Sequence, residues 1–254
     1  MNRNIIDRFR LDGKIALVTG AGQGLGKGFA LALAEAGSDV AVVDIVGGNA
    51  EKTAAEIRET GRNALALQGD IARETDVQAM VERTIAHFGR LDIGVNNAGI
   101  AIPIGPVSQV SFEDWLRQMA VNLNGTFLCA RCEAEAMKPH GYGKIINIGS
   151  MCGHIVWPEP QAAYSVSKAG VIHMTRCLAA EYIRYGIRIN CISPGVTRVE
   201  GLFEEVVAVF RRKAPIDRIG TPADHQGAVV YLASEVSDFM VGQELIIDGG
   251  YTLI

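Results

Sequence analysis

An α/β fold, a doubly wound parallel sheet in one domain over residues 1–254, is predicted by three features of the sequence. Seven short apolar runs alternate with helix-length segments. Most of the runs are near-continuous Val, Ile and Leu, as parallel strands covered on both faces must be. No linker or low-complexity stretch divides the chain, and repeated β-α-β units imply right-handed crossovers.

The expected strands are KIALVT (14–19), DVAVVD (39–44), ALALQG (64–69), LDIGVN (91–96), KIINIG (144–149), IRINCIS (187–193) and QELIID (243–248). Helical segments are expected near 24–36, 49–60, 74–88, 111–137, 161–184 and 221–234. Ser111-Phe-Glu-Asp114 has the form of a capping box, and Thr221-Pro222 sets a cap residue before a first-turn proline.

Bulk composition narrows the function classes. Apolar residues make up 48% and charged residues 20% of 254, in keeping with a soluble globular enzyme. The net charge of -4 gives no footprint for nucleic acid or an anionic membrane surface. The beginning, MNRNIIDRFRL, has no apolar h-region and no later run reaches spanning length, so a cytoplasmic location is expected. The five cysteines, an odd count without a secretory signal, argue against a disulfide framework. Cys129 and Cys132 form a lone C-x2-C with no second pair or histidine at ligand spacing, so no metal site is expected.

The first run leads into TGAGQGLGKG, where Gly20, Gly24 and Gly26 follow a strand and open a helix. Glycine admits the tight turn, and phosphate oxygens can then reach main-chain N–H groups at a helix N-terminus. The alternative is a glycine-rich turn with no ligand. Asp44 ends the second strand 18 residues after Gly26, where a carboxylate can accept from a ribose hydroxyl and repel a 2′-phosphate. No basic residue follows it, and Gln23 occupies the glycine loop, so NAD(H) is expected over NADP(H). NNAG (96–99) closes the fourth strand, either lining the cofactor crevice or bracing neighbouring strands.

In YSVSK, Tyr164 and Lys168 stand four apart and so share one helix face. A free phenol titrates at about 10 and is a poor base near neutrality. A neighbouring ammonium is expected to favour the phenolate, making Tyr164 the acid–base group for an alcohol or carbonyl. Ser150, just past the fifth strand, can donate to the same oxygen as charge develops there. The competing readings are an exposed amphipathic pair for Tyr164 and Lys168, and a helix cap for Ser150. Asn122, Asn124 and Gly125 are weak helix formers within 111–137, so a kink or bulge is expected there, freeing a carbonyl for a water chain toward Lys168.

TGAGQGLG (19–26), NNAG (96–99), VNLNGTF (121–127), NIGSMCG (147–153), YSVSK (164–168), ISPG (192–195) and DGGY (248–251) together resemble the short-chain dehydrogenase/reductase family, over Leu11 to Ile254. The look is nearest to its polyol and sugar dehydrogenases. The resemblance implies a seven-stranded Rossmann sheet and hydride transfer at a nicotinamide. It implies catalytic roles for Asn122, Ser150, Tyr164 and Lys168. It implies cofactor contacts at Gly20, Gln23, Gly24, Leu25, Gly26, Asp44, Asp70, Ile71, Asn97, Tyr164, Lys168, Gly195 and Thr197. Where the family often has a threonine after Pro-Gly, this chain has Val199, which leaves Thr197 as the candidate carboxamide contact. It also implies a homotetramer, and the long helical segments and apolar GGYTLI end suit subunit contacts.

Residues 197–215 carry apolar positions at 199, 202, 203, 206, 207 and 210, the spacing of an amphipathic helix and a candidate substrate lid. Ser150, Cys152, His154, Gln161 and Tyr164 are the candidate substrate contacts, with Trp157 and Glu159 nearby; His154 is alternatively structural. This set suits a small polyhydroxylated molecule. A 3-oxoacyl-thioester reductase and a catalytically silent dinucleotide binder are the competing functional readings.

Overall fold

The computed structural model describes residues 4–101, 105–202 and 204–254. Seven strands form one parallel sheet: β1 (Ile15–Thr19), β2 (Asp39–Asp44), β3 (Ala64–Gln68), β4 (Ile93–Asn96), β5 (Gly143–Ile148), β6 (Ile187–Pro194) and β7 (Glu244–Ile247). Their order is β3-β2-β1-β4-β5-β6-β7, and every pairing is parallel. The expected sheet is therefore present, with strand ends shifted by two residues at most.

Strand side chains alternate between two cores. Ala16, Val18, Val40 and Val42 enter one core with Phe29, Leu33, Ile57 and Leu232. Leu17, Ala41 and Val43 enter the other with Met80, Ala134 and Leu178. Helices α1 (Gly24–Glu35), α2 (Gly47–Glu59) and α8 (Ala223–Ala233) thus cover one face, and α3 (Glu74–Phe88), α5 (Thr126–Met137) and α6 (Ala162–Tyr182) cover the other. Central strands β1 and β5 are buried throughout. The edge strands β3 and β7 are partly exposed, where the all-buried pattern ends.

The segment 111–137 is not one α-helix. α4 (Phe112–Met119) passes through a π-helical stretch, Ala120–Gly125, into α5. The break falls on Asn122, Asn124 and Gly125, as their poor helix propensity predicts. Ser111 caps α4 by accepting from the Asp114 N–H at 3.0 Å. The Asp114 carboxylate takes the Ser111 hydroxyl rather than completing a capping box. α8 runs from Ala223 with Pro222 already helical in its backbone angles, and Asp224 reaches back to accept from Thr221 N–H at 2.7 Å, as the residue three beyond a cap does in a capping box.

The expected lid is helical only over α7 (Glu204–Lys213). Ahead of it, Thr197 forms a parallel bridge with Gly220, and Arg198 N–H donates to Gly220 C=O at 2.8 Å. Phe203 lies outside the described residues. A third apolar cluster holds α7 down. Phe210 stacks on Tyr251 at 5.2 Å between ring centroids, and Trp157 stacks on the same ring at 5.4 Å. This stack ties α7 to the loop after β5 and to the 251–253 turn. No described helix is long and apolar enough to cross a membrane.

Candidate active site

The strand order reverses between β1 and β4, the point at which open α/β sheets bind ligands beyond the strand carboxyl ends. A cleft of about 740 Å³ opens there, lined by residues following β1 to β6. Gly20, Gln23, Gly24, Leu25, Gly26, Asp44, Asp70, Ile71, Asn97, Ser150, Tyr164, Lys168, Gly195 and Thr197 all line it. Arg117, Val199 and Glu200 line it too, and no sequence signal had singled out Arg117 or Glu200.

The glycine loop fits a dinucleotide on structural grounds. Gly20 and Gly24 have φ of +61° and +57°, which disfavours any side chain. A Cβ on Gly26 would lie 2.1 Å from the Gly20 carbonyl oxygen. α1 begins without a side-chain cap or an acidic residue in its first turn, so its N–H groups and dipole remain free for an anion. Asn97 clamps this loop, donating from Nδ2 to Thr19 C=O at 3.0 Å and Gly20 C=O at 3.1 Å. It both braces the strand ends and lines the crevice. Asp44 is 8% exposed; its two oxygens accept from Gly22 N–H and Val46 N–H, each at 2.9 Å. A carboxylate so held keeps lone pairs for a ribose hydroxyl.

α6 puts Tyr164 and Lys168 on one face toward the cleft. Lys168 Nζ donates to Ile148 C=O at 2.8 Å and lies 5.8 Å from the Tyr164 ring centroid. Burial pushes the ammonium down to about 8. Burial likewise pushes the phenol up to about 12, against a hydrogen bond with Ser150 that pulls it down. The expected acidification of Tyr164 is thus corrected for the protein alone, because desolvation of the buried phenolate is the largest effect on it. Ser150 Oγ accepts from Cys152 N–H at 3.2 Å, which leaves its proton free to donate.

Asn122 is wholly buried and sits behind the cleft. Its Oδ1 accepts from Ile100 N–H at 2.8 Å, and its Nδ2 donates to Ile100 C=O at 2.9 Å and Ser167 Oγ at 3.2 Å. Its own carbonyl accepts from Thr126 Oγ1 at 2.8 Å. The side chain therefore pins the loop after β4 to the helix of Lys168. Asn122→Ala is expected to lower stability by about 2 kcal/mol, since both Ile100 backbone groups lose a partner. Turnover should fall with cofactor affinity near normal; urea unfolding and steady-state rates check both, and unchanged turnover would remove Asn122 from the catalytic set.

The candidate substrate residues divide. Ser150 and Tyr164 line the cleft, but Cys152, His154 and Gln161 are not among its lining residues. Gln161 Nε2 donates to Cys152 Sγ at 3.2 Å. His154 Nε2 lies 2.7 Å from Glu244 Oε1, which also accepts from Ser193 Oγ. His154 is thus placed structurally, tying the turn after Ser150 to β7. Burial raises the thiols of Cys129 and Cys132, the latter to about 11, which keeps both protonated at neutral pH. No described group of three or more His, Cys, Asp or Glu side chains is arranged to hold a metal ion.

Sequence reasoning passed over His225. It occupies the same helix stripe as Val229 and Leu232 and is 1% exposed, with Nε2 2.8 Å from Thr197 Oγ1. A histidine on an apolar i, i+4, i+7 stripe was the available signal.

Comparison with known proteins accords with this geometry. A family model described as enoyl-(acyl carrier protein) reductase matches residues 20–252. Galactitol 2-dehydrogenase of Rhizobium johnstonii is 40% identical over 253 residues, 96% of this chain and 97% of its own. A short-chain type dehydrogenase/reductase from Mycobacterium marinum has a TM-score of 0.96 and 38% identity, over 99% of this chain and 100% of that one. A gluconate 5-dehydrogenase from Burkholderia cenocepacia, in complex with NADP and tartrate, has a TM-score of 0.93 and 36% identity, over 99% and 100% of the two chains. Likeness at this identity over nearly the whole length, joined to the glycine loop and the seven-strand order, makes the chain a member of the short-chain dehydrogenase/reductase family, oxidoreductases that act on alcohol groups with a nicotinamide dinucleotide.

Proposed function

We propose that the protein oxidises a secondary alcohol of a small sugar or polyol, or reduces the matching ketone, using NAD(H). The carrying observation is the convergence of Tyr164, Lys168 and Ser150 on one wall of a cleft whose other wall is the glycine loop. When bound, the dinucleotide supplies the hydride acceptor or donor. The chain's own residues handle the proton and the oxygen. Tyr164, with its phenol held near 12, is a proton donor to a carbonyl in the reducing direction. Ser150 donates to the same oxygen, and Lys168, fixed on Ile148 C=O, sets a positive charge beneath the phenol.

Asp44 supports NAD(H): a carboxylate held at the end of β2 opposes a 2′-phosphate. The relatives' sugar-alcohol and sugar-acid substrates support the substrate class. The site residues act in one domain, with 197–215 as the substrate cover. A homotetramer in the cytoplasm completes the reading; exposed Phe112 and Leu116 on α4 and Val166 on α6 are apolar surface suited to subunit contact. The matching family model's description keeps an acyl-thioester reductase as the second reading.

Absorbance assays with NAD+ or NADP+ against polyols and sugar acids, and with the reduced cofactors against ketoses and 3-oxoacyl thioesters, separate the two. Turnover of polyols with at least about tenfold preference for NAD+ is the expected result, a difference of about 1.4 kcal/mol. Response to thioesters alone would replace the substrate assignment, and preference for NADP+ would overturn the role given to Asp44.

A further inference from the structure

Ser167, one residue before Lys168, is wholly buried and is not among the residues lining the cleft. Its Oγ donates to Tyr164 C=O at 2.7 Å and accepts from Asn122 Nδ2 at 3.2 Å. Three residues on, Gly170 sets the same side of α6 against the π-helical stretch, where a Cβ would lie 3.0 Å from Leu123 Cδ1.

The direction of each bond is fixed. Ile100 N–H can only donate and Ile100 C=O can only accept, so the Asn122 amide must present Oδ1 to the first and Nδ2 to the second. The second Nδ2 proton is the one that reaches Ser167, and the hydroxyl keeps its single proton for Tyr164 C=O. That carbonyl is the one an α-helix pairs with the N–H of residue 168, closing the turn that carries both Tyr164 and Lys168. A chain of bonds thus runs from Ile100, on the cleft wall, through Asn122 and Ser167 to the main chain of the acid–base residue. Alanine forms helix better than serine, and a serine bonding back to its own helix gives no net helix stability. The link to Asn122 is what serine adds.

We propose that Ser167 is a positioning residue for proton transfer: through Asn122 it holds the Tyr164–Lys168 turn in register with the cleft wall at Ile100. It lies outside the cleft and acts only through its two partners. The inference rests on the reading that Tyr164 carries the proton of an alcohol–ketone reaction.

The test compares Ser167→Ala, Ser167→Thr, Asn122→Ala and the Ala–Ala double variant with wild type. It reads kcat by absorbance, on the polyol or ketone that wild type turns over fastest, and the NADH dissociation constant by fluorescence titration. Ser167→Ala is expected to lower kcat about tenfold, less than the roughly hundredfold that a misplacement of about 1 Å costs. Its NADH dissociation constant should stay within about twofold of wild type, because the bonds lost are not made to the glycine loop, Asp44 or Lys168 Nζ. Ser167→Thr keeps a hydroxyl able to bond the carbonyl three residues back and should recover most of the loss. In the Asn122→Ala background, Ser167→Ala should cost less than about twofold, since the bond it breaks is already gone. Unchanged kcat in Ser167→Ala, a parallel loss of NADH affinity, or equal losses in both backgrounds overturns the inference while the oxidoreductase reading stands. Should the Asn122→Ala variants fail to fold, the split between kcat and affinity and the threonine rescue decide, and a Ser167→Thr enzyme as slow as Ser167→Ala overturns it. Absence of wild-type turnover with every alcohol and ketone, with either cofactor, overturns the proposed function and the inference with it.

Discussion

Tyr164→Phe is expected to reduce kcat by about three orders of magnitude, within the range general acid–base catalysis supplies. NADH affinity should change by less than about threefold, because the ring remains and Lys168 keeps its hold on Ile148 C=O. Rates by absorbance and binding by fluorescence measure the two effects separately. The reason for so uneven an outcome lies in the local electrostatics. Burial holds the phenol near 12 and Lys168 near 8, so across neutral pH the proton sits on Tyr164 and the lysine is charged. Phenylalanine removes the proton and preserves the rest. Residual turnover within about tenfold of wild type would assign the proton to another group.

Glu133→Gln is expected to change the pH dependence of stability more than any surface substitution. Glu133 is wholly buried between α5 and the sheet, where its Oε2 accepts from Asn96 Nδ2 at 3.0 Å and its Oε1 has no partner. Burial pushes its carboxyl from an ordinary 4.5 up to about 8. Below pH 4.5 the folded and unfolded chains both hold the proton. Between 4.5 and 8 the unfolded carboxyl ionises while the folded one does not, so stability falls as pH rises. Above 8 both are ionised and the loss levels off, at on the order of 4 kcal/mol. Glutamine has no charge to bury, so the variant should gain on wild type by about that amount between pH 5 and pH 9. Urea midpoints at each pH, with unchanged slope, measure it. A constant difference across the range would show that Glu133 does not titrate on unfolding.

These two residues also show what the sequence disclosed and what it withheld. Tyr164 and Lys168 were legible because their relation is local: four residues on one helix. The glycine loop, the apolar strands and the broken helix at Asn122 were legible for the same reason. Glu133 reads as an ordinary helix carboxylate beside Glu135, although it shares a stripe with Cys129, Ala130, Ala134 and Met137. Its burial depends on Asn96, 37 residues away in sequence. For His154 the sequence leaves both a substrate contact and a structural role open, because its partner, Glu244, is 90 residues distant. Helix and strand periods report which face is inward; they carry no information on which polar group waits there.

The three-ring stack gives the protein an optical reporter of its own. Trp157 is one of two tryptophans, and the other, Trp115, stands on α4 away from the stack. Any displacement of α7 pulls Phe210 from Tyr251 and alters the surroundings of the Trp157 indole. With Trp115 replaced by Phe, emission from the remaining indole would follow any such displacement in real time, so stopped-flow mixing with substrate tests, without a dye, whether α7 moves.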